Sequence, residues 1–285
     1  MTLREILKRA KREKWAIGQF NFSTLEQLRG IAFAAKKNLS PVILGLSQSE
    51  ADFFGLEEAI SLVKALEKKL KFKFFLNLDH GKDLNLIRKA VDLGFEAVHF
   101  DGSSLSFKKN LELTREVVKY AKKKKVLVEG ELGYLRGESR FFSKKKVKIK
   151  KEDLTKPEEV EEFVEKTKID SLAIAIGNVH GIYPTMPKLD FERLKEIREK
   201  TDAFLVLHGG SGFPSSQLEK AINFGVQKIN INTELRVVWR KSLEKQLKKT
   251  KKEVKPYLIL PKVISEIQKE VEKYIFVFKS RKKLC

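Results

Sequence analysis

Phe204-Leu205-Val206-Leu207-His208-Gly209-Gly210-Ser211-Gly212 is an unbroken apolar run that ends in a histidine and a glycine-rich turn. A segment apolar at successive positions fits a strand covered on both faces, as in a parallel sheet. The glycine after the imidazole leaves little bulk beyond the strand tip to obstruct a ligand. The pattern occurs twice more: Leu78-Asp79-His80-Gly81 closes one apolar run, and Asn178-Val179-His180-Gly181 follows Leu172-Ala173-Ile174-Ala175-Ile176. Only four histidines occur in the chain, and three stand in these signatures. Three such tips meet only in a fold that gathers strand ends around one point.

Outward from these runs, β-like and amphipathic helical stretches alternate. The strands expected are Trp15–Phe22, Pro41–Ser47, Phe72–His80, Ala97–Ser103, Val126–Gly133, Ser171–Gly177, Ala203–Gly210 and Lys228–Asn232. Between and after them lie helical patterns over Leu25–Lys37, Leu56–Leu70, Leu84–Leu93, Phe107–Lys123, Pro157–Lys168, Phe191–Lys200, Ser216–Phe224 and Glu234–Lys248. Eight β–α alternations predict an α/β fold, a closed (β/α)8 barrel. An extra N-terminal helix precedes it and a C-terminal helical extension, about Lys262–Lys283, follows, all in one domain over residues 1–285. An open doubly wound sheet would carry fewer strands and an early G-x-G-x-x-G turn, which this chain lacks.

The bulk numbers exclude several classes. The lone Cys285 offers no disulfide framework and points to a reducing, cytoplasmic setting. No run reaches the roughly 18–20 apolar residues of a membrane span. The basic, amphipathic Met1–Lys8 segment carries Glu5 and lacks a cleavage site, so it reads as a first helix, not a targeting peptide. Net charge is +21. The lysines mix with glutamates, as in Leu66-Glu67-Lys68-Lys69, and no interleaved aromatics or nucleic-acid motif accompany them. Nucleic acid is therefore not the expected partner, and the charge favours phosphorylated small molecules instead.

In a parallel barrel the C-terminal strand ends share one rim, where catalytic groups gather. His80, His180 and His208, at the ends of the third, sixth and seventh expected strands, make a three-imidazole metal centre with an open position. Zinc suits these ligands first; cobalt, manganese and iron also fit. His99, two residues before Asp101, reads as a packed or network histidine. Asp79 is positioned to donate a proton beside the metal. Asp101, Glu129 and Glu131 are placed to hold a second cation or to orient the histidines. The Gly-rich turn after His208, with Lys228-Ile229-Asn230-Ile231-Asn232-Thr233 entering a helix, forms a candidate phosphate cradle.

At this point the chain resembles the class II, metal-dependent fructose-bisphosphate aldolases, including their tagatose-bisphosphate branch. The resemblance runs from Gly18-Gln19-Phe20-Asn21 to Asn232-Thr233-Glu234. Its specific parts are Leu78-Asp79-His80-Gly81, Asp101-Gly102-Ser103, Glu131-Leu132-Gly133, Gly177-Asn178-Val179-His180-Gly181, Leu207–Gly212 and Asn230–Thr233. It implies a barrel enzyme that reversibly cleaves a ketose 1,6-bisphosphate, fructose 1,6-bisphosphate first, into dihydroxyacetone phosphate and glyceraldehyde 3-phosphate, zinc stabilising the enediolate. It further implies zinc on His80, His180 and His208, and a second cation, divalent or monovalent, or zinc's alternative position at Asp101 and Glu131. Gly181, Gly209, Gly210, Ser211, Asn230, Ile231, Asn232 and Thr233 fall in the segments that hold dihydroxyacetone phosphate. Ser47 matches a contact to the other triose phosphate and Asp79 the proton donor. Members of the family are usually homodimers or homotetramers.

The match departs in one loop. The family's proton-abstracting glutamate, within Gly-Gly-x-Glu-Asp, has here the counterpart Gly133-Tyr134-Leu135-Arg136-Gly137-Glu138-Ser139-Arg140. Without a gap the base position falls on Ser139; a one-residue deletion brings Glu138 into it. The reading expects Glu138 to be the base, against a member with impaired proton abstraction. Lys144–Lys151 make the loop basic, and Lys262 is a candidate for the second phosphate by position. Fructose and tagatose bisphosphates differ at one stereocentre, which no sequence rule separates. A metal-dependent phosphodiesterase or nuclease barrel and a basic binding protein are the more distant alternatives.

Overall fold

The computed structural model of the protein describes residues 1–144 and 147–284; Cys285 and the loop residues Lys145 and Lys146 lie outside the described residues. Eight parallel strands close into a barrel. They are β1 (Ile17–Asn21), β2 (Val42–Ser47), β3 (Phe75–Gly81), β4 (Ala97–Phe100), β5 (Leu127–Leu132), β7 (Ser171–Ile174), β9 (Phe204–Leu207) and β10 (Val226–Ile231), with β1 pairing both β2 and β10. The expected (β/α)8 barrel is the observed one.

Sequence makes the barrel's floor. In α1 (Leu3–Glu13), Thr2 and Glu5 form a reciprocal capping box, and Lys14, in the left-handed region at φ 54°, ends the helix. Leu3, Ile6, Leu7 and Ala10 recur at helical spacing and are buried. They pack with Trp15, Ile17, Ile43, Phe75, Ala97, Leu127 and Phe204, closing the N-terminal mouth of the barrel. Each such leucine or isoleucine contributes about 1.5–3 kcal/mol by leaving water.

The outer ring is α2 (Leu25–Asn38), α4 (Leu56–Leu70), α5 (Leu84–Leu93), α6 (Phe107–Lys122), α7 (Pro157–Thr167), α8 (Phe191–Glu199), α9 (Ser215–Asn223) and α10 (Thr233–Lys249). The C-terminal helix α11 (Pro256–Val277) packs on α2 and α10 through Ile259, Val263, Ile267, Val271 and Ile275. A Cβ at Gly30 of α2 would come within 2.6 Å of Ile267 Cγ2, so the absence of a side chain there permits the close approach.

Four elements differ from the sequence expectation. The sixth barrel strand ends at Ile174, and His180 opens a separate strand, β8 (His180–Ile182), instead of standing at the tip of that barrel strand. Its partner is β6 (Gly137–Phe141), inside the loop after β5. A short helix, α3 (Gln48–Phe54), follows β2, capped by Ser47 and Glu50. Finally, α11 starts at Pro256 and carries Pro261 within it, ending at Val277. Proline at the first turn costs little, because those N–H groups have no helical acceptor; the two prolines had masked the helix start.

The barrel lumen is polar. Asn77 donates to Gln19 Oε1 at 2.8 Å, and Lys228 Nζ lies 2.6 Å from Glu129 Oε2, both charged groups being buried. Lys228→Met should therefore destabilise the fold by about 3–5 kcal/mol, because Glu129 is left without its partner in the interior. The Lys228→Met/Glu129→Leu double substitution should recover most of that loss, as read from denaturant midpoints at constant slope.

Candidate active site

The rim is assembled from segments far apart in the chain. His80, within β3, has φ 48°, a left-handed conformation unusual for a residue with a side chain. Its N–H donates to His99 Nδ1 at 3.1 Å, which makes that nitrogen an acceptor. The other ring nitrogen of His99 lies 3.1 Å from Glu131 Oε2. His99 is thus fully buried and bonded to the His80 backbone beside Glu131.

His208 follows β9 directly. Its Nδ1 lies 2.9 Å from His80 Nε2, and its Nε2 lies 2.6 Å from Glu129 Oε1. Glu129 in turn pairs with Lys228, so a buried chain of charge orients the His208 ring. His180 reaches the same place from β8. Asn178 holds that turn, donating to Ile174 O at 3.0 Å and His208 O at 3.1 Å. From the other side, His180 N donates to Arg136 O at 2.9 Å, and Arg136 is fixed by a two-pronged pair with Asp153 at 2.7 and 2.8 Å. The rings of His180 and His208 stand edge-on to His80, with centroids 4.9 and 4.6 Å away.

Around this trio the carboxylates divide. Asp101 Oδ2 is 3.1 Å and Glu131 Oε2 3.8 Å from His80 Nδ1. Asp79 accepts from Asn21 at 3.0 Å and from Asn230 at 3.1 Å, and faces the cavity. Burial raises the Asp79 carboxyl, but the His80 charge, with His99, His208 and Lys228, holds it well below the usual carboxylate range. Burial also acts on Glu129, where the Lys228 charge and the His208 hydrogen bond outweigh it and hold the carboxyl low. Burial, then the charges of His80 and His208, pushes the His180 imidazole down to about 3.

A divalent cation fits this donor set. Ring nitrogens of His80 and His208 face each other at 2.9 Å, an arrangement that neutral imidazoles tolerate when a cation or proton lies between their lone pairs. Held down to about 3, the His180 imidazole is neutral, the form able to ligate a cation. Glu131 Oε2 is buried without a well-formed hydrogen bond among the described residues. Donor atoms of His80, Asp101 and Glu131 lie within 4.8 Å of one another, as do those of Asp79, His80, His99 and His208. His180 belongs to neither of those tight groups and adjoins the cluster through its ring contact with His80.

The three histidines and Asp79 open on a cavity of about 250 Å³ lined also by Ser47, Ser49, Ser139, Gly209, Ser211, Asn230, Asn232, Thr233 and Arg236. Gly209 has φ 64°, and a Cβ there would meet Val179 O at 2.1 Å, so the turn beside His208 needs glycine. The Asn232 side chain does not cap the N-terminus of α10; Glu234 N–H donates to Ser211 Oγ at 3.3 Å, which ties the helix start to the Gly-rich turn, and the positive end of the helix favours an anion. Asn230 Oδ1 and Asn232 Oδ1 are buried without partners among the described residues.

Other expected site residues stand back from this wall. Ile231 is fully buried in the core, and Gly210 packs between Ile229 and Ile231. Gly181, at φ 102°, lies under β6 and does not line the cavity. The Glu138 side chain is 59% exposed and pairs with Arg140 at 3.1 Å, whereas its neighbour Ser139 lines the cavity. Lys262 lies elsewhere, 3.4 Å from Glu266 on α11. Arg236 was missed by the sequence reading. It follows Thr233 by three residues on α10, and that helical spacing was the available signal.

The comparisons with known proteins agree with this geometry. The family model described as "Fructose-bisphosphate aldolase class-II" matches residues 1–283. A fructose-bisphosphate aldolase of Geobacillus stearothermophilus is 38% identical over 252 residues, 87% of this chain and 86% of that protein. A 6-phospho-5-dehydro-2-deoxy-D-gluconate aldolase of Shouchella clausii is 38% identical over 276 residues, 96% of this chain and 92% of that protein. Among solved structures, the YdjI aldolase of Escherichia coli K12 superposes with a TM-score of 0.85 at 28% identity, covering 100% of both chains. No described helix is long and apolar enough to cross a membrane. With the barrel, the histidine rim and this match over nearly its whole length, the chain belongs to the class II fructose-bisphosphate aldolase family and is an aldolase, a carbon–carbon lyase.

Proposed function

We propose that the protein is a metal-dependent aldolase whose substrate splits into dihydroxyacetone phosphate and an aldehyde. The observation that carries this reading is Asp79, a carboxylate facing one cavity that has the three histidines on one side and the Gly209–Ser211 turn with the α10 N-terminus on the other. The resemblance points to fructose 1,6-bisphosphate, with tagatose 1,6-bisphosphate as its stereoisomer. The other relatives' named substrate, 6-phospho-5-dehydro-2-deoxy-D-gluconate, would also release dihydroxyacetone phosphate on retro-aldol cleavage, with 3-oxopropanoate as the aldehyde. The proposal rests on the half these substrates share.

His80, His180 and His208 would hold the catalytic cation, zinc by ligand type, with Asp101 and Glu131 beside it for a second cation or an alternative position. When bound, such a cation supplies Lewis-acid polarisation of the substrate's ketone oxygen. In cleavage, the ionised Asp79 takes the proton of the hydroxyl on the carbon that becomes the aldehyde. That carbon's bond to the ketone half breaks, the ketone half keeps the electron pair, and a proton returned to it completes dihydroxyacetone phosphate. Condensation is the reverse, with Asp79 giving its proton to the new hydroxyl. The phosphate sits against the N–H groups of the Gly-rich turn and α10, with Ser211, Asn230, Asn232 and Thr233 around it.

Glu138 is the proposed proton carrier at the ketone half. Ser139 occupies the cavity face of β6, and side chains alternate along a strand. A one-residue slip of β6 against β8, whose pairing is already irregular between Gly137 and Phe141, would exchange the two. A second reading, impaired proton abstraction, is favoured by the outward pairing of Glu138 with Arg140. Two copies of the barrel per assembly, or four, is the proposed quaternary state, and the cytoplasm its setting.

Three measurements check this. Metal-loaded protein should release triose phosphate from fructose 1,6-bisphosphate or from 6-phospho-5-dehydro-2-deoxygluconate, and a chelator should abolish the release; chelator-insensitive turnover would remove the metal from the reading. Asp79→Ala should lower turnover about 10²- to 10⁴-fold while binding metal with unchanged stoichiometry, and near-normal turnover in that variant would end its assignment. Glu138→Gln should stop proton exchange on dihydroxyacetone phosphate in deuterium oxide, with Ser139→Ala as the comparison; exchange that persists in Glu138→Gln transfers the role away from Glu138.

A further inference from the structure

One buried acid, bonded to three residues of the cavity lining, takes no part in the chemistry above. Glu50, on α3, is 4% exposed, and four donors converge on its two oxygens. Asn21 Nδ2 at 2.9 Å and Ser47 N at 2.8 Å reach Oε2. Asn232 Nδ2 at 3.1 Å and Arg236 Nη2 at 2.5 Å reach Oε1. Arg236 also donates to Ser139 O at 3.4 Å. Among the described residues lining the cavity, Arg236 is the only lysine or arginine.

A phosphate on the aldehyde half of the substrate would carry close to two negative charges and would need a cation. The guanidinium available to it is already paired with Glu50 through Nη2 and bonded to Ser139 O through Nη1. As a pair, Glu50 and Arg236 have no net charge, so they exert no long-range pull on a dianion. Contact at Arg236 would also bring the phosphate beside a buried carboxylate, a like-charge juxtaposition in a poorly screened place. A hydroxyl-bearing end meets no such repulsion and can hydrogen-bond to Ser47, Ser49 and the pair itself. The phosphate of the ketone half is held elsewhere, by backbone N–H groups.

We infer that Glu50 is a specificity-determining residue: by holding Arg236 in an ion pair, it selects an aldehyde half without a phosphate group. This rests on the proposed condensation with dihydroxyacetone phosphate, and it departs from the bisphosphate substrate that the resemblance implies.

The test is condensation by the full-length, metal-loaded protein of dihydroxyacetone phosphate with D-glyceraldehyde or with D-glyceraldehyde 3-phosphate, followed by loss of dihydroxyacetone phosphate. The wild-type kcat/KM is expected to favour the unphosphorylated aldehyde. In Glu50→Gln, the ratio should move toward the phosphorylated aldehyde by about tenfold or more, through a lower KM for that substrate. A wild-type preference for the phosphorylated aldehyde overturns the inference and needs no variant. An unmoved ratio in a folded Glu50→Gln protein, judged by its thermal midpoint, also overturns it. Failure to consume dihydroxyacetone phosphate with either aldehyde, or with 3-oxopropanoate, sinks the proposed dihydroxyacetone phosphate half and this inference together.

Discussion

Glu129 joins the interior of this barrel to its rim. Below, its carboxylate pairs with Lys228 at 2.6 Å; above, it meets His208 Nε2, also at 2.6 Å. A buried ion is tolerated only when its partners are in place, and the penalty for leaving one unpaired exceeds what a typical surface contact contributes. The interaction therefore ties β5, β9 and β10 to one arrangement and turns the other nitrogen of His208 toward His80. The remaining site geometry follows from that orientation. His80 takes its left-handed backbone with its N–H on His99, and Asn178 anchors the His180 turn to the backbone carbonyl of His208.

The two sides of the cavity use different means to handle charge. On the side of the Gly-rich turn, the positive end of α10 meets the cavity beside Gly209 and Ser211, while Gly210 N and Gly212 N are bonded to Asn230 O and Glu234 Oε2. On the α3 side, one arginine is matched by one buried glutamate. Backbone donors add no mobile charge and cannot be lost by a side-chain rotation, which suits a phosphate that must be gripped in every turnover. The matched pair is a selective wall, not an attractive one. Asn232 belongs to both sides, standing at the start of α10 and donating to Glu50.

The barrel was legible because its strands are continuously apolar and its helices are periodic, and both patterns reflect burial on local elements. The histidine and Gly-rich signatures of the rim were legible because histidine before glycine, and Gly-Gly-Ser-Gly before a helix, have few other uses at a strand end. The β6–β8 pairing was hidden, since Gly137–Phe141 is exposed and carries no apolar alternation. The short α3 escaped notice because seven residues hold too few turns for a period to show. Glu50 carried no signal in the sequence: nothing in its neighbourhood announces Arg236, which lies 186 residues away in the chain.

By itself the sequence determined the fold class, the order of the eight barrel strands and the histidines and Asp79 that meet at the rim, because these depend on local periodicity and on residue chemistry. Tertiary structure alone decided which groups face the cavity and which are spoken for. It turned Ser139 inward and Glu138 outward, set His180 on a strand of its own, and gave Arg236 its acid. Those outcomes depend on distances between segments far apart in the chain, and such distances are set by the closure of the barrel and the packing around it.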